Sequence, residues 1–336
     1  MSLLRVVGWV YCGLALGIEA SHVGGAMPRS EELIRAFRRV AEGREPYSSV
    51  LVLAKSEASK LIEMQRRLGL TYLVEGQLLW HDILRPFTEL LEGVKTGPLT
   101  RWFDNNLFYK KPIIVSNILR TTSILEKYVF TDLLSGVNWK LILPEPYTFY
   151  RLSANQSYSR WEDLVLDFAG ILVEELKTLA GTGPALLQLS APCLAEKKLD
   201  TDQVETVKES LRIVKNGYNG LLMVHLFFYD ASNAFPWILD SPADVIGIDP
   251  FVTAPELIRG YSFERSLAIG CVDARNSHVE SVEEIGYLFN SFAECVEARA
   301  YHLTTNTDLE YLPRHVADAK IERLAEAYRI LGGGLS

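Results

Sequence analysis

Short apolar runs recur along the whole chain, each followed by a segment whose apolar residues are spaced by three and four, and this alternation constrains the fold more than any other feature. The runs cover residues 21–26, 71–75, 139–143, 185–189, 221–226, 244–248, 267–272 and 300–304, with 113–115 as a ninth candidate. Helical spacing marks 30–41, 161–179, 202–215 and 282–299. Strands without an alternating polar face are buried on both sides, which requires a parallel sheet covered by helices, and about eight such units close into a barrel. An open doubly wound sheet is the alternative, but no G-x-G-x-x-G follows an early strand. The expected fold is therefore a (β/α)8 TIM barrel forming one domain over 21–336, preceded by an apolar N-terminal extension or strand in 1–20. Several runs pass directly into polar or turn residues, among them Gly76-Gln77, Pro144-Glu145-Pro146, Asp249-Pro250 and Asp273-Ala274-Arg275-Asn276. In a barrel these positions gather at the C-terminal rim, where active sites are built.

Composition narrows the function. A net charge of −8 and a pI near 5.4 provide no basic face for phosphates, which argues against nucleic acid. The four cysteines, Cys12, Cys193, Cys271 and Cys295, form no C-x-x-C pair, so neither a disulfide framework nor a compact zinc site is signalled. A reducing, cytoplasmic setting is expected. The apolar stretch 6–18 is too short to span a bilayer and lacks a small-x-small cleavage site, so no membrane association is expected.

The segment Leu99-Thr100-Arg101-Trp102-Phe103-Asp104-Asn105-Asn106-Leu107-Phe108-Tyr109 resembles the T-K-W-F-D-T-N-Y-H-Y stretch of cobalamin-independent methionine synthase, in its N-terminal half. Other pieces follow in that family's order. Gly25-Ala26-Met27-Pro28-Arg29 with Glu32-Leu33 is similar to its G-x-x-P-R…E-L opening, and Val74-Glu75-Gly76-Gln77 to its second-strand signature. Pro144 to Phe149, Leu187 to Pro192 and Val272 to Asn276 are similar to G-P-x-T/S-F, Q-I-D-E-P and V-D-G-R-N. The resemblance implies a barrel of the methionine synthase type and a methyltetrahydrofolate polyglutamate as methyl donor. It also departs from the catalytic half. Where that half carries its zinc ligands H-x-C, glutamate and a late cysteine, this chain reads His225-Leu226-Phe227, Asp249 and Thr305-Asn306-Thr307-Asp308. Soft thiolate ligands are not replaced by Phe and Thr, so no metal site is expected.

Two sets of candidate residues follow. The resemblance places Arg29 and Arg101 against the anionic glutamyl tail of a folate, where a guanidinium fork suits carboxylates. Gln77, Trp102, Asp104, Asn106 and Asn276 complete that candidate binding set. The second set is His225, Asp249, Asp273 and Arg275, at strand ends, as an acid–base or hard-ligand cluster. Three functions are then open: a folate-holding barrel that assists a separate catalytic barrel in methyl transfer to homocysteine, an independent barrel methyltransferase or decarboxylase-like enzyme using the second set, and a non-catalytic scaffolding subunit.

Overall fold

The computed structural model describes residues 17–179 and 181–332, so the apolar stretch 6–18 lies almost wholly outside the described residues. Among the described residues ten strands are formed: β1 (Ile18–Ser21), β2 (Glu92–Arg101), β3 (Phe108–Leu119), β4 (Lys140–Pro144), β5 (Ala154–Asn155), β6 (Leu186–Ser190), β7 (Leu221–Leu226), β8 (Val245–Ile248), β9 (Ser262–Val272) and β10 (Glu297–Thr305). Seven of them pair in parallel in the order β1-β10-β9-β8-β7-β6-β4. The gap between β1 and β4 is closed by residues 71–73. Thr71 and Tyr72 donate their N–H groups to Ser21 O at 3.0 and 3.2 Å, Leu73 N donates to Asn138 O at 2.9 Å, and Lys140 N donates to Leu73 O at 2.8 Å. The expected second strand is thus reduced to a bridge pairing Leu73 with Trp139, but it completes a TIM-barrel-like ring.

Burial explains why the strands read as apolar runs. In β4, β6 and β8 every residue is buried, because alternate side chains face the helices and the barrel interior. Leu186, Met223, Val245 and Ala268 pack together as a small interior layer, while Leu187, Leu189, Val224 and Ile246 belong to the large outer core shared with the helices. Helix starts are set by local chemistry: Asp200 with Gln203 and Ser281 with Glu284 make reciprocal capping boxes at Thr201–Asn216 and Val282–Ala293. No helix among the described residues is long and apolar enough to cross a membrane.

Three expectations are corrected. The first strand is Ile18–Ser21 rather than 21–26, and residues 22–30 form the loop that carries Arg29. The helical pattern read to 299 stops at Ala293, since the chain must return to the opposite face of the barrel to begin β10. The candidate strand 113–115 is the middle of β3, which pairs antiparallel with β2 in a hairpin outside the ring, with β5 added alongside. That hairpin leaves the chain between the bridge and β4, and its turn, Trp102 to Leu107, is closed by Trp102 N donating to Leu107 O at 2.8 Å.

Candidate functional site

At the rim, Asp249 follows β8, Asp273 follows β9 and Asn306 follows β10, so three parallel strands deliver three polar side chains to one place. The Asp249 carboxylate is fully buried and lies 3.1 Å from Arg275 Nη2. It also accepts from Phe251 N at 3.1 Å, Asn306 Nδ2 at 3.2 Å and Phe228 N at 3.3 Å. Asn306 Nδ2 reaches Asp273 at 3.0 Å, and Arg275 Nε lies 3.5 Å from the same oxygen. Burial pushes the Asp249 carboxyl above its ordinary range, with Arg275 acting against it.

His225 does not join this cluster. Both of its ring nitrogens are buried without a partner, and burial, helped by the charge of Lys140, brings its pKa down to about 3. The ring is therefore neutral and makes neither the carboxylate pair nor the hard-ligand site considered above. Asp249 is committed to Arg275, Asn306 and backbone donors, and His225 is hydrogen-bonded to none of them. Among the described residues no group of three or more His, Cys, Asp or Glu side chains is placed to hold a metal.

The binding set divides. Gln77 and Trp102 line a small, partly open cavity of about 40 Å³ beneath the hairpin turn, together with Asp82, Tyr109, Asp308 and Glu310. Gln77 Nε2 donates to Ile142 O at 2.9 Å. Asp308, absent from the candidate set, accepts from Gly25 N at 2.6 Å and Ala26 N at 3.1 Å. Burial raises the pKa of Asp82 and Asp308 and pushes Glu310 up to about 8, where its acidic neighbour Asp308 adds to the effect and Arg29 opposes it. An open groove of about 610 Å³ continues from the cavity, sharing Leu107 and Glu310, and is lined by Arg29, Arg314 and His315. Arg29 donates to the carbonyls of Leu78 and Trp80 and lies 5.2 Å from the Phe37 ring centre, with no carboxylate in ion-pair range among the described residues.

Arg101 does not point into this site. Its side chain is 56% exposed and only 4.0 Å from the fully exposed Asp104 carboxylate. Asn106 and Asn276 are also exposed. Asp104 instead borders a separate depression of about 190 Å³ with Phe103, Phe228 and Arg275. The aromatic residues of the turn pack: Trp102 lies 5.0 Å from Phe103 and 5.6 Å from Tyr109, and Phe103 lies 5.4 Å from Phe228 across the rim. The non-glycine residues with positive φ among the described residues, Gln77 (47°), Phe103 (50°) and Phe228 (69°), all lie in these rim loops. Such strain persists where surrounding structure holds it and clusters at functional sites. Glu145, a rim acid by sequence, is instead a buried helix cap accepting from Tyr147 N and Thr148 N at 2.8 and 2.7 Å.

The acids Asp82 and Glu310 carried no motif and were not singled out by sequence. Lys140 was detectable only as a cation opening an otherwise apolar strand.

Comparison with known proteins agrees with this architecture. Residues 91–297 match the family described as cobalamin-independent synthase, N-terminal domain. The chain is 26% identical over 314 residues to a methionine synthase of Saccharolobus solfataricus, covering 91% of this chain and 93% of that one. It is 23% identical to a methionine synthase of Sulfurisphaera tokodaii, covering 94% and 93%. Among solved structures it is similar in fold to a B12-independent methionine synthase from Shewanella in complex with selenomethionine, with a TM-score of 0.74, 19% identity and coverage of 93% and 97%. A methyltransferase from Methanosarcina mazei is similar with a TM-score of 0.59 at 11% identity, covering 93% and 95%.

Proposed function

This chain belongs to the cobalamin-independent synthase family, matching its N-terminal domain, and from that premise we propose that it holds a methyl-folate polyglutamate at its rim and assists a separate catalytic barrel in methyl transfer to homocysteine. The observation that carries the reading is the pair of connected compartments. The inner one offers carboxylates and a glutamine alongside Trp102 and Tyr109, which suits a flat heteroaromatic ring bearing N–H donors. The outer one presents to a carboxylate tail Arg29, which has no carboxylate in ion-pair range among the described residues, and Arg314, which also pairs with Asp318 at 2.9 Å and Glu57 at 3.6 Å. At about 40 Å³ the inner cavity has room for a few waters rather than a ring. Entry of the ring therefore requires the 102–107 turn to lift.

One further observation supports division of labour between chains. Asp249 and Asp273 share the one Arg275 guanidinium and His225 is hydrogen-bonded to none of them, which counts against an independent active site built from those four.

The test is calorimetric titration with methyltetrahydrofolate in its monoglutamate and triglutamate forms. Saturable binding is expected, tighter for the triglutamate, with Arg314→Ala removing that preference and Arg101→Ala leaving it. Absence of binding to both forms, or dependence on Arg101 and not on Arg314, would overturn the reading.

A further inference from the structure

A line of polar side chains runs through the barrel core and belongs to neither rim compartment. Glu19, on β1, is 43% exposed at the N-terminal face, where its Oε1 lies 3.1 Å from His302 Nε2 on β10. His302 Nδ1 lies 3.3 Å from His22 Nε2, and His22 Nδ1 lies 3.0 Å from Lys140 Nζ. Lys140 also donates to Val23 O at 2.7 Å, and Thr304 Oγ1 lies 3.0 Å from His22 Nδ1. His22 and His302 are fully buried and Lys140 is 2% exposed. Burying three titratable groups, His302, His22 and Lys140, in a line costs free energy that an apolar core would not. Nothing in the rim site requires them.

We propose that Lys140, His22, His302 and Glu19 form a proton relay along the barrel axis, through which the buried lysine gains and loses its proton at the face opposite the rim. Ring-proton positions are assigned here from the network. With Glu19 ionised and both rings neutral, one polarity satisfies every nitrogen: Lys140 donates to His22 Nδ1, His22 Nε2–H donates to His302 Nδ1, and His302 Nε2–H donates to Glu19. Transfer moves one proton from the ammonium to His22 Nδ1, one from His22 Nε2 to His302 Nδ1, and one from His302 Nε2 to the carboxylate, which releases it to water. The amine and both rings end neutral, each ring in its other tautomer, and the reverse sequence restores the start.

The surroundings fit both ends of this path. His302 and Ser266 hold the Glu19 carboxyl down to about 2, against the opposing effect of its burial, so it stays ionised and gives up to water any proton that reaches it. Burial brings the Lys140 amine down to about 7, with Asp308 opposing, and places its exchange near neutrality. The groups facing the line are His225 and Asp308 near Lys140, Tyr72 beside both histidine rings, and Arg299 beside Glu19. Because Asp308 lines the rim cavity, the charge of Lys140 bears on whatever occupies it, and the relay itself holds for any occupant.

The experiment is magnetic resonance of protein labelled with ¹⁵N at lysine, reading exchange of the Lys140 Nζ protons with water at a pH below its pKa. Glu19→Gln, on the exposed end, is expected to slow that exchange by about 100-fold, the scale of one positioned acid–base group, and His302→Phe to do the same. Trp102→Ala, which loosens the rim, is expected to leave it unchanged. A purely structural network would leave the exchange rate unaffected by Glu19→Gln. That result, or faster exchange in Trp102→Ala, would overturn the relay. Should His302→Phe fail to fold, the Glu19 and Trp102 variants decide the matter.

Discussion

Replacing Arg275 by Met removes the guanidinium that lies 3.1 Å from the fully buried Asp249 carboxylate, and tests whether this strand-end cluster is a structural clamp. Taking one partner from a buried ion pair costs about 3–5 kcal/mol. Two features of this site reduce that figure. Arg275 is 27% exposed, so water reaches the vacated position, and three neutral donors, from Phe228, Phe251 and Asn306, remain on the carboxylate. A loss of about 2–3 kcal/mol is expected at neutral pH. The sign of its pH dependence follows from burial, which already raises the folded Asp249 pKa above 3.8. A raised carboxyl contributes stability that is fully present below its unfolded pKa and lost as pH rises through the folded value. Without Arg275 the folded value rises further and that loss is larger. The deficit against wild type is therefore small in mildly acidic buffer and full at neutrality. Guanidinium unfolding at both pH values measures it, with Asp249→Asn in the same cycle recovering part of the loss. A deficit below about 1 kcal/mol at neutral pH, the level of an exposed pair, or one equal at both pH values, would refute the reasoning.

Glu75 is 4% exposed with one carboxylate oxygen unpartnered, and burial pushes its pKa up to about 8 from 4.5. Its stabilising contribution is present below pH 4.5 and fades as pH rises through about 8. Glu75→Gln is expected to gain stability relative to wild type across that window in denaturant unfolding, and parallel curves would contradict the assignment. Gly24→Ala brings a Cβ within 2.5 Å of Thr307 O and 2.6 Å of Asp308 Cα, both backbone atoms that cannot swing aside. A loss of roughly 1–3 kcal/mol is expected by thermal unfolding, and a neutral substitution would mean that this approach is looser than described.

Much of the scaffold was readable because it depends on local composition. The runs at 139–143, 221–226 and 244–248 lie within about a residue of β4, β7 and β8, since a strand buried on both faces must be apolar throughout. Of the hairpin, 99–109 was read as a motif and only 113–115 as a strand. β2 is mostly exposed and contains Gly93, Gly97 and Pro98, so it carries no apolar period to betray a strand. Arg29 and Arg101 looked equivalent as cations of two motifs, yet one lies under the rim loops and the other at the open end of a ribbon.

By itself the sequence determined that the chain closes a parallel barrel and that strand-end polar residues such as Asp249 and Asp273 stand at one rim, because hydrophobic period and turn chemistry are local properties. Only the tertiary structure decided which polar groups meet. His22 and His302 are separated by 280 positions, and Gly25 meets Asp308 across 283. Such contacts arise from the register in which the last strand pairs with the first. A shift of one residue would turn every side chain to the opposite face, so the pairing of His225, Asp249 and Lys140 with their neighbours is a property of barrel closure rather than of any segment.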